Sequence, residues 1–300
     1  MAVSAFVPAI WAARFTDKLR NKLVFGSLAN RNYQGDIAGV GNTVKIPTGN
    51  TSITVRDYTV NTDIADAELA DGETQDLVID KQKYFHFYVD DVNKMQSRPS
   101  LMDEVMDEAA YRASIQVDAD IGAVFNAAVS TTASARTVDI TGTAVDANNA
   151  GWAKSFLDGL VDLKRTMTLA NIPETERWIC VHADAIALLE KALVRDQIGQ
   201  AMLPNTMDSV TRAGFSGNLL GFNLFVPTVV PSRTVSNVAR HRYIAGQGIS
   251  AITHANQSTQ VEAYRPERRF GDAVKGLQVY GTKAVHNDRL FVIESLQGTS

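Results

Sequence analysis

The stretch Ser100–Val129, SLMDEVMDEAAYRASIQVDADIGAVFNAAV, decides how the rest of this chain can be arranged. Leu101, Val105, Ala109, Ala113, Val117, Ile121, Val124 and Ala128 recur every three or four positions. That spacing lays an apolar stripe along one side of a helix. Pro99 stands just outside, and Ser100 with Asp103 forms a serine-x-x-acid start that offers acceptors to the first orphan amides. Asp103, Glu104, Asp107 and Glu108 sit near the positive end of the helix dipole. No proline interrupts the run, and only Gly122 weakens it. At 1.5 Å per residue the helix spans about 45 Å. That is about three times the usual length, so it needs an architectural reason.

Around this helix stand 300 residues, 45% of them apolar, enough core material for one large domain or two. The net charge of −4 argues against a surface wholly given to holding DNA, though not against local basic patches. A single cysteine excludes an intrachain disulfide framework and fits a reducing compartment. No apolar run approaches the ~20 residues needed to cross a bilayer. The opening MAVSAFVPAIWAARF lacks a charged segment followed by an apolar block, so no signal peptide is read and a cytoplasmic product is expected.

Upstream, residues 7–24 have helical spacing through Trp11, Phe15, Leu19 and Leu23, with Arg14, Lys18, Arg20 and Lys22 on the other sides. Such a segment is either a terminal helix on its own core or an arm that packs on a neighbouring subunit or faces an anionic interior. Thr43–Pro47 and Ile53–Thr59 are β-rich, with the turn pair Gly49-Asn50 between them, and Asp76–Val92 is a further strand region. From Asp57 to Asp80 the chain carries Asp63, Asp66, Glu68, Asp71 and Glu73 among eight acids, with no Lys or Arg. This acidic projection cannot bury much of itself and should protrude onto another surface. Downstream, helices are expected at 151–169 and 183–195. Strands are expected at 137–140, 177–182, 219–227, 242–245, 260–264, 276–285 and 290–294. Together these read as an α+β arrangement of helices against a central sheet. The bend RPERRFGD, with Arg265, Arg268 and Arg269, joins two of the strands.

Enzyme signatures nearly occur and each fails on a residue. Gly214-Phe215-Ser216-Gly217-Asn218 has Asn where a nucleophile elbow needs its last Gly. Gly271 and Gly276 have Walker A spacing, but Leu277 stands where the phosphate-binding Lys belongs. Gly246-x-Gly248-x-x-Ala251 fits a dinucleotide fingerprint, yet the next segment, ITHANQSTQVEA, is too short and too β-branched for the required helix. Cys180 and His182 share a strand face, an arrangement read mainly as a buried thiol beside a strand-end His. His86, His182, His241, His254 and His286 have no metal-ligand spacing. No catalytic, cofactor or metal residue is assigned.

The order of parts resembles the major capsid protein of tailed double-stranded DNA phages, with the Hong Kong 97-type fold. The opening FVPAIWAARFTDKLRNKLVFGSLANRNYQGDIAGVGNTVKIP is similar to the branch related to the Salmonella phage coat. YFHFYVDDV before the long helix, and GFSGNLLGFNLFVPTVVP, are similar to family patterns as well. The resemblance implies an N-terminal arm at 1–42 and an extended loop at 43–92. It implies a peripheral domain at 93–130 with 256–285, and an axial domain at 131–255 with 286–300. It implies self-assembly of pentamers and hexamers into an icosahedral shell, made in the host bacterial cytoplasm. Packaged double-stranded DNA held without sequence specificity, a separate scaffolding protein, a portal and a decoration protein are the implied partners, with no membrane. Trp11, Phe15, Asp63, Asp66, Glu68, Asp71, Glu73, Arg265, Arg268 and Arg269 are the expected subunit contacts. Arg14, Lys18, Arg20 and Lys22 are expected to face the interior and its DNA. An encapsulin-type cellular shell enclosing an enzyme, and a cytosolic α+β enzyme, are the alternatives.

Overall fold

The computed structural model describes residues 23–34, 43–48, 54–64, 66, 73–90, 101–130, 136–144, 150–196, 217–235 and 237–296. The expected turn at Gly49-Asn50 and nearly all of the helix expected at 7–24 lie outside them. Helix α1, Leu101–Ser130, is continuous over 30 residues, as its spacing predicts. Its buried face differs from the expected stripe. Met106, Ala110, Ser114, Val117, Ile121, Phe125 and Ala128 are buried, whereas Val105, Ala109 and Ala113 are half-buried. A step of four residues advances 40° beyond a full turn, so a row built on fours slides around the helix. The buried row inserts threes at Ser114–Val117 and Phe125–Ala128 and so stays on one side.

Two sheets share that side. The larger has seven strands in the order β4-β12-β9-β5-β7-β6, with β8 paired to β9. These are β4 (Thr137–Ala144), β5 (Arg177–Cys180), β6 (Asn218–Leu219), β7 (Phe222–Phe225), β8 (Ser232–Val235), β9 (Val238–Gln247) and β12 (Leu290–Leu296). Strand β12 runs parallel to β4 and antiparallel to β9. Helices α2 (Ala150–Leu169) and α3 (Ala183–Asp196) cover one face through Trp152, Phe156, Leu160 and Leu189. The C-terminal half of α1 covers the other face, where Phe125 meets Trp178 edge-on at 5.7 Å. The smaller sheet, β10-β11-β3, comprises β10 (Ile252–Tyr264), β11 (Gly271–Ala284) and β3 (Lys81–Asp90). The N-terminal half of α1 lies on it through Met106 and Ala110, against Val261, Val274, Phe85 and Phe87.

Two strand expectations are corrected. Residues 54–59 of the stretch Ile53–Thr59 form no strand; β1 (Thr43–Thr48) pairs instead with β2 (Glu73–Val78), from Thr43 opposite Val78 to Thr48 opposite Glu73. Ile46 and Leu77 bury themselves there with Ile79 and Ala255, a partnership far apart in sequence. The region Asp76–Val92 is two strands, broken at Ile79–Asp80. The break lies where the chain crosses Gly281, since a Cβ there would fall 2.4 Å from the Val78 carbonyl oxygen.

Polar ties fix the α1 packing at two points. Near its C-terminus, Arg242, 1% exposed, sets Nε 3.1 Å from Glu294 and donates from Nη1 to the Asn126 carbonyl at 3.0 Å. In its middle, the Asp118 carboxylate accepts the Gly26 amide at 3.1 Å, and the Phe25 ring lies against Gly122. Burial raises the Asp118 carboxyl to about 6, against the opposing pull of the Gly26, Phe25 and Val24 amides and of Arg31. His254, bonded to Thr282 at 3.0 Å, is pushed down to about 4 by burial and by Arg31.

Gly281→Ala should cost about 2–4 kcal/mol, because a methyl group meets backbone rather than a movable side chain; urea denaturation of the isolated subunit checks this. The two buried titrating groups predict opposite pH slopes. Between about pH 4 and 6 folded Asp118 keeps a proton that the unfolded chain has released, so its contribution falls as pH rises. Over about pH 4 to 6.5 folded His254 stays neutral while the unfolded imidazole is charged, so its contribution rises. Relative to the wild type, Asp118→Asn should therefore gain on the order of 3 kcal/mol on going from pH 4 to pH 7. His254→Gln should show its gain at pH 4 and lose it by pH 7, of similar size. Urea midpoints at pH 4, 5.5 and 7 measure both.

Candidate assembly surfaces

Residues 54–64 and Asp66 stand exposed throughout. Residues 54–59 have no regular secondary structure, and the chain then turns, with the Thr62 amide donating to the Thr59 carbonyl at 3.2 Å and Asn61 left-handed at φ 63°. Asp63 and Asp66 lie on this projection as expected. Glu68 and Asp71 fall outside the described residues, and Glu73 begins β2 opposite Thr48, so the acidic stretch ends in a strand. Sequence reasoning missed the apolar half of the projection. Val55 is 94% exposed and Ile64 80%, and Tyr58 and Val60 are exposed too. A run of large apolar side chains held out in water marks a surface awaiting a partner. The signal was present in the β-branched run ITVRDYTV, which reads as a strand because covering by another chain and covering by a sheet demand the same residues.

The β10–β11 bend carries Arg265, Arg268 and Arg269, all exposed. The Arg269 guanidinium lies 5.9 Å from the Tyr88 ring centroid, and the Tyr88 hydroxyl donates to the Phe270 carbonyl at 2.6 Å. The bend is thus anchored to the edge strand β3, while Phe270 itself points out, 82% exposed. Phe270 was not among the expected contacts. Among the described residues no ion pair joins Asp63 or Asp66 to Arg268 or Arg269. Trp11, Phe15, Arg14, Lys18, Arg20 and Lys22 lie outside the described residues.

Gly214, Phe215 and Ser216 of the elbow-like stretch lie outside the described residues, and the other near-motifs fall on structure that cannot perform their chemistry. Gly271 and Gly276 lie inside strand β11, and Gly246–Ala251 runs from the end of strand β9 through the turn into strand β10, with no helix to receive a pyrophosphate. Cys180 is buried on the α1 side of the large sheet, and burial pushes its thiol up, the wrong direction for a nucleophile. His182 sits 3.0 Å from Asp184 and stacks on His241 with ring centroids 5.1 Å apart. Burial and His182 lower the His241 pKa. Among the described residues no group of three or more His, Cys, Asp or Glu could hold a metal ion, and no helix is long and apolar enough to cross a membrane.

The comparisons with known proteins bear on the same surfaces. A family model described as phage capsid protein matches residues 72–293. A structure from Mycobacterium phage Che8 is similar at 27% identity and TM-score 0.65, covering 90% of each chain. The capsid structure of cyanophage P-SCSP1u is similar at 13% identity and TM-score 0.66, over 100% of this chain and 91% of that one. The mature capsid of bacteriophage PhiM1 is similar at 14% identity and TM-score 0.61, over 89% and 87%. The last two likenesses concern the fold alone. Among curated proteins none matches the sequence. The family match spans both sheets and α1, and the chain therefore belongs to the phage capsid protein family: it has the Hong Kong 97-type fold of a phage major capsid protein, a structural and non-enzymatic subunit of the virion shell.

Proposed function

We propose that copies of this chain close into an icosahedral shell of pentamers and hexamers around packaged double-stranded DNA, held without sequence specificity. The observation that carries this reading is the exposed projection, whose Val55, Tyr58, Val60 and Ile64 have large apolar surfaces open to water in a single subunit. In a closed symmetric assembly the same contact repeats around each axis, so one pair of complementary patches covers every copy. In this reading residues 1–42 are the arm and 43–92 the extended loop. Residues 93–130 with 256–285 are the peripheral domain, and 131–255 with 286–300 the axial domain. Trp11 and Phe15 make subunit contacts, and Arg14, Lys18, Arg20 and Lys22 face DNA. A separate scaffolding protein, a portal and a decoration protein are the further partners, and assembly takes place in the host cytoplasm. Glu68, Asp71 and Glu73 join Asp63 and Asp66 as the acidic side of a contact with Arg265, Arg268 and Arg269 of a neighbour.

Electron microscopy of the purified product should show closed shells of uniform diameter, and shells from the native source should hold DNA that nuclease cannot reach. Shells that hold protein and no nucleic acid would favour the cellular-compartment alternative. Exposed ion pairs contribute only ~0–1 kcal/mol each, but the contact recurs at every copy. Arg268→Glu with Arg269→Glu should raise the concentration needed for assembly severalfold, more at low salt where screening is weak. Asp66→Lys with Glu68→Lys in the same chain should recover part of the loss. Light-scattering titrations at two salt concentrations measure this, and the absence of rescue at either would separate the two segments.

A further inference from the structure

Between Asp208 and Glu262 the chain carries Arg212, Arg233, Arg240 and Arg242 and no acid, although the whole sequence has a net charge of −4. Three of those arginines gather on one hairpin. Strand β8 pairs with β9 at the border of the large sheet, and Arg233 stands directly opposite Arg240. Arg242 follows on the same face, opposite Glu294, which in turn lies opposite Asp139 on β4. The Arg240 guanidinium is 3.2 Å from Asp139 and 3.4 Å from Glu294, whereas Arg233 reaches Glu294 at 3.7 Å. Three guanidiniums thus share two carboxylates. Like charges directly opposite one another on a hairpin repel. Arg233 carries the surplus outward, with 51% of its side chain exposed.

We propose that this face of the β8–β9 hairpin contacts the phosphate backbone of double-stranded DNA enclosed in the shell. The inference rests on the reading that the shell encloses DNA, and it adds a contact apart from Arg14, Lys18, Arg20 and Lys22. A guanidinium presents a planar fork of donors that matches two phosphate oxygens at once. Such a contact holds any DNA sequence alike, since phosphates carry no base information. A protein partner would call for a different surface. Protein interfaces are built around aromatic and large apolar anchors. From Ser232 to Arg240 the hairpin has no aromatic residue, and its largest apolar side chains are Val235 and Val238.

The side of the sheet agrees with this assignment. Arg242 donates to the Asn126 carbonyl of α1, so the arginine face lies on the α1 side. The N-terminal segment joins the core on that side too, because Leu23 and Phe25 pack with Ile244 of β9 and Val292 of β12. Helices α2 and α3 close the opposite face. The root of the basic N-terminal segment and the basic hairpin therefore share one side of the sheet.

Binding of a short, mixed-sequence DNA duplex to the purified chain tests the chemistry. Arg233→Gln should weaken it about threefold or more at low salt and lower the slope of log affinity against log salt by about one, the share of one phosphate contact. Arg233→Lys should keep the wild-type slope, because the charge stays. The urea midpoint of both variants should match the wild type, which separates lost contact from lost folding. A wild-type chain that binds no duplex, or an unchanged slope in Arg233→Gln, overturns the proposal. Photo-cross-linking in DNA-filled shells gives a second readout that leaves the arginines in place. Val238→p-benzoylphenylalanine, at an exposed position beyond the arginine pair, should join the chain to DNA several times more than the same group at Leu169, exposed at the end of α2. Equal labelling from the two sites overturns the proposal, as does joining of Val238→p-benzoylphenylalanine to a neighbouring chain in place of DNA. Native shells that hold no DNA are a different result: they overturn the reading that the shell encloses DNA, while Arg233-dependent duplex binding would still support the phosphate chemistry of the hairpin.

Discussion

One helix must lie on two sheets with a single face, and the rest of the subunit depends on that constraint. Over 30 residues α1 passes from the three-stranded sheet to the seven-stranded one. A face that rotated by even a third of a turn between them would put polar side chains into one of the cores. The mixed steps of three and four keep Met106, Ala110, Val117, Ile121 and Phe125 on the buried side. With Ser114 and Ala128 the row from Met106 to Ala128 has a mean spacing close to the 3.6-residue period of the helix itself, so the helix needs no supercoil to stay in contact. The strands solve the same problem from below. Ile252 packs with the cluster around Phe125, and Val261 of the same strand packs with Met106. Strand β10 therefore runs beneath both halves of α1.

Apolar packing alone would leave α1 free to slide along this surface, because dispersion and hydrophobic burial are not directional. The directional terms sit at two points. At Asp118 and Gly122 the helix offers a carboxylate and a missing side chain, and the turn Phe25–Ser27 supplies an amide and a ring to match. At Asn126 the Arg242 guanidinium meets a carbonyl near the negative end of the helix, with Glu294 beside it. Buried charges of this kind add little net stability compared with an apolar replacement. Their effect here is to permit one register. A register error would strand a carboxylate or a guanidinium without its partner, which is far more costly than the pair is favourable.

How much of this was legible in the sequence depends on the range over which each feature is encoded. The extent of α1, the helices α2 and α3, and the strands around Trp178, Tyr243 and Phe291 are set by local periodicity, which locates them within a few residues. The buried face of α1 was misplaced because apolar letters at fours are also compatible with a row that slides, and Phe125 was left out of it. The pairing of β1 with β2 skipped the nearer candidate, since β propensity says that a segment wants a cover and not which segment provides it. Val55 and Tyr58 are the same ambiguity seen from the other side. Phe270, set between arginines, carried no local pattern to distinguish it from a core residue.

A shell protein announces its function through what it leaves incomplete. An enzyme would show convergent polar groups with displaced pKa values in a closed cleft. Here groups with displaced pKa values, Asp118, Cys180 and His254 among them, are buried in the packed interior and bear on stability. The incomplete features lie at the edges: a projection with four exposed apolar side chains, and a basic bend that holds Phe270 out in water. Covering one large apolar side chain is worth about 1.5–3 kcal/mol before the costs of association. A single contact of that size is weak enough to break and re-form while a growing shell corrects its errors. Closure changes the arithmetic, because a subunit in a complete shell is held by every one of its contacts at once. Edges that look unfinished in one copy are therefore what allows assembly to be reversible at first and durable once closed.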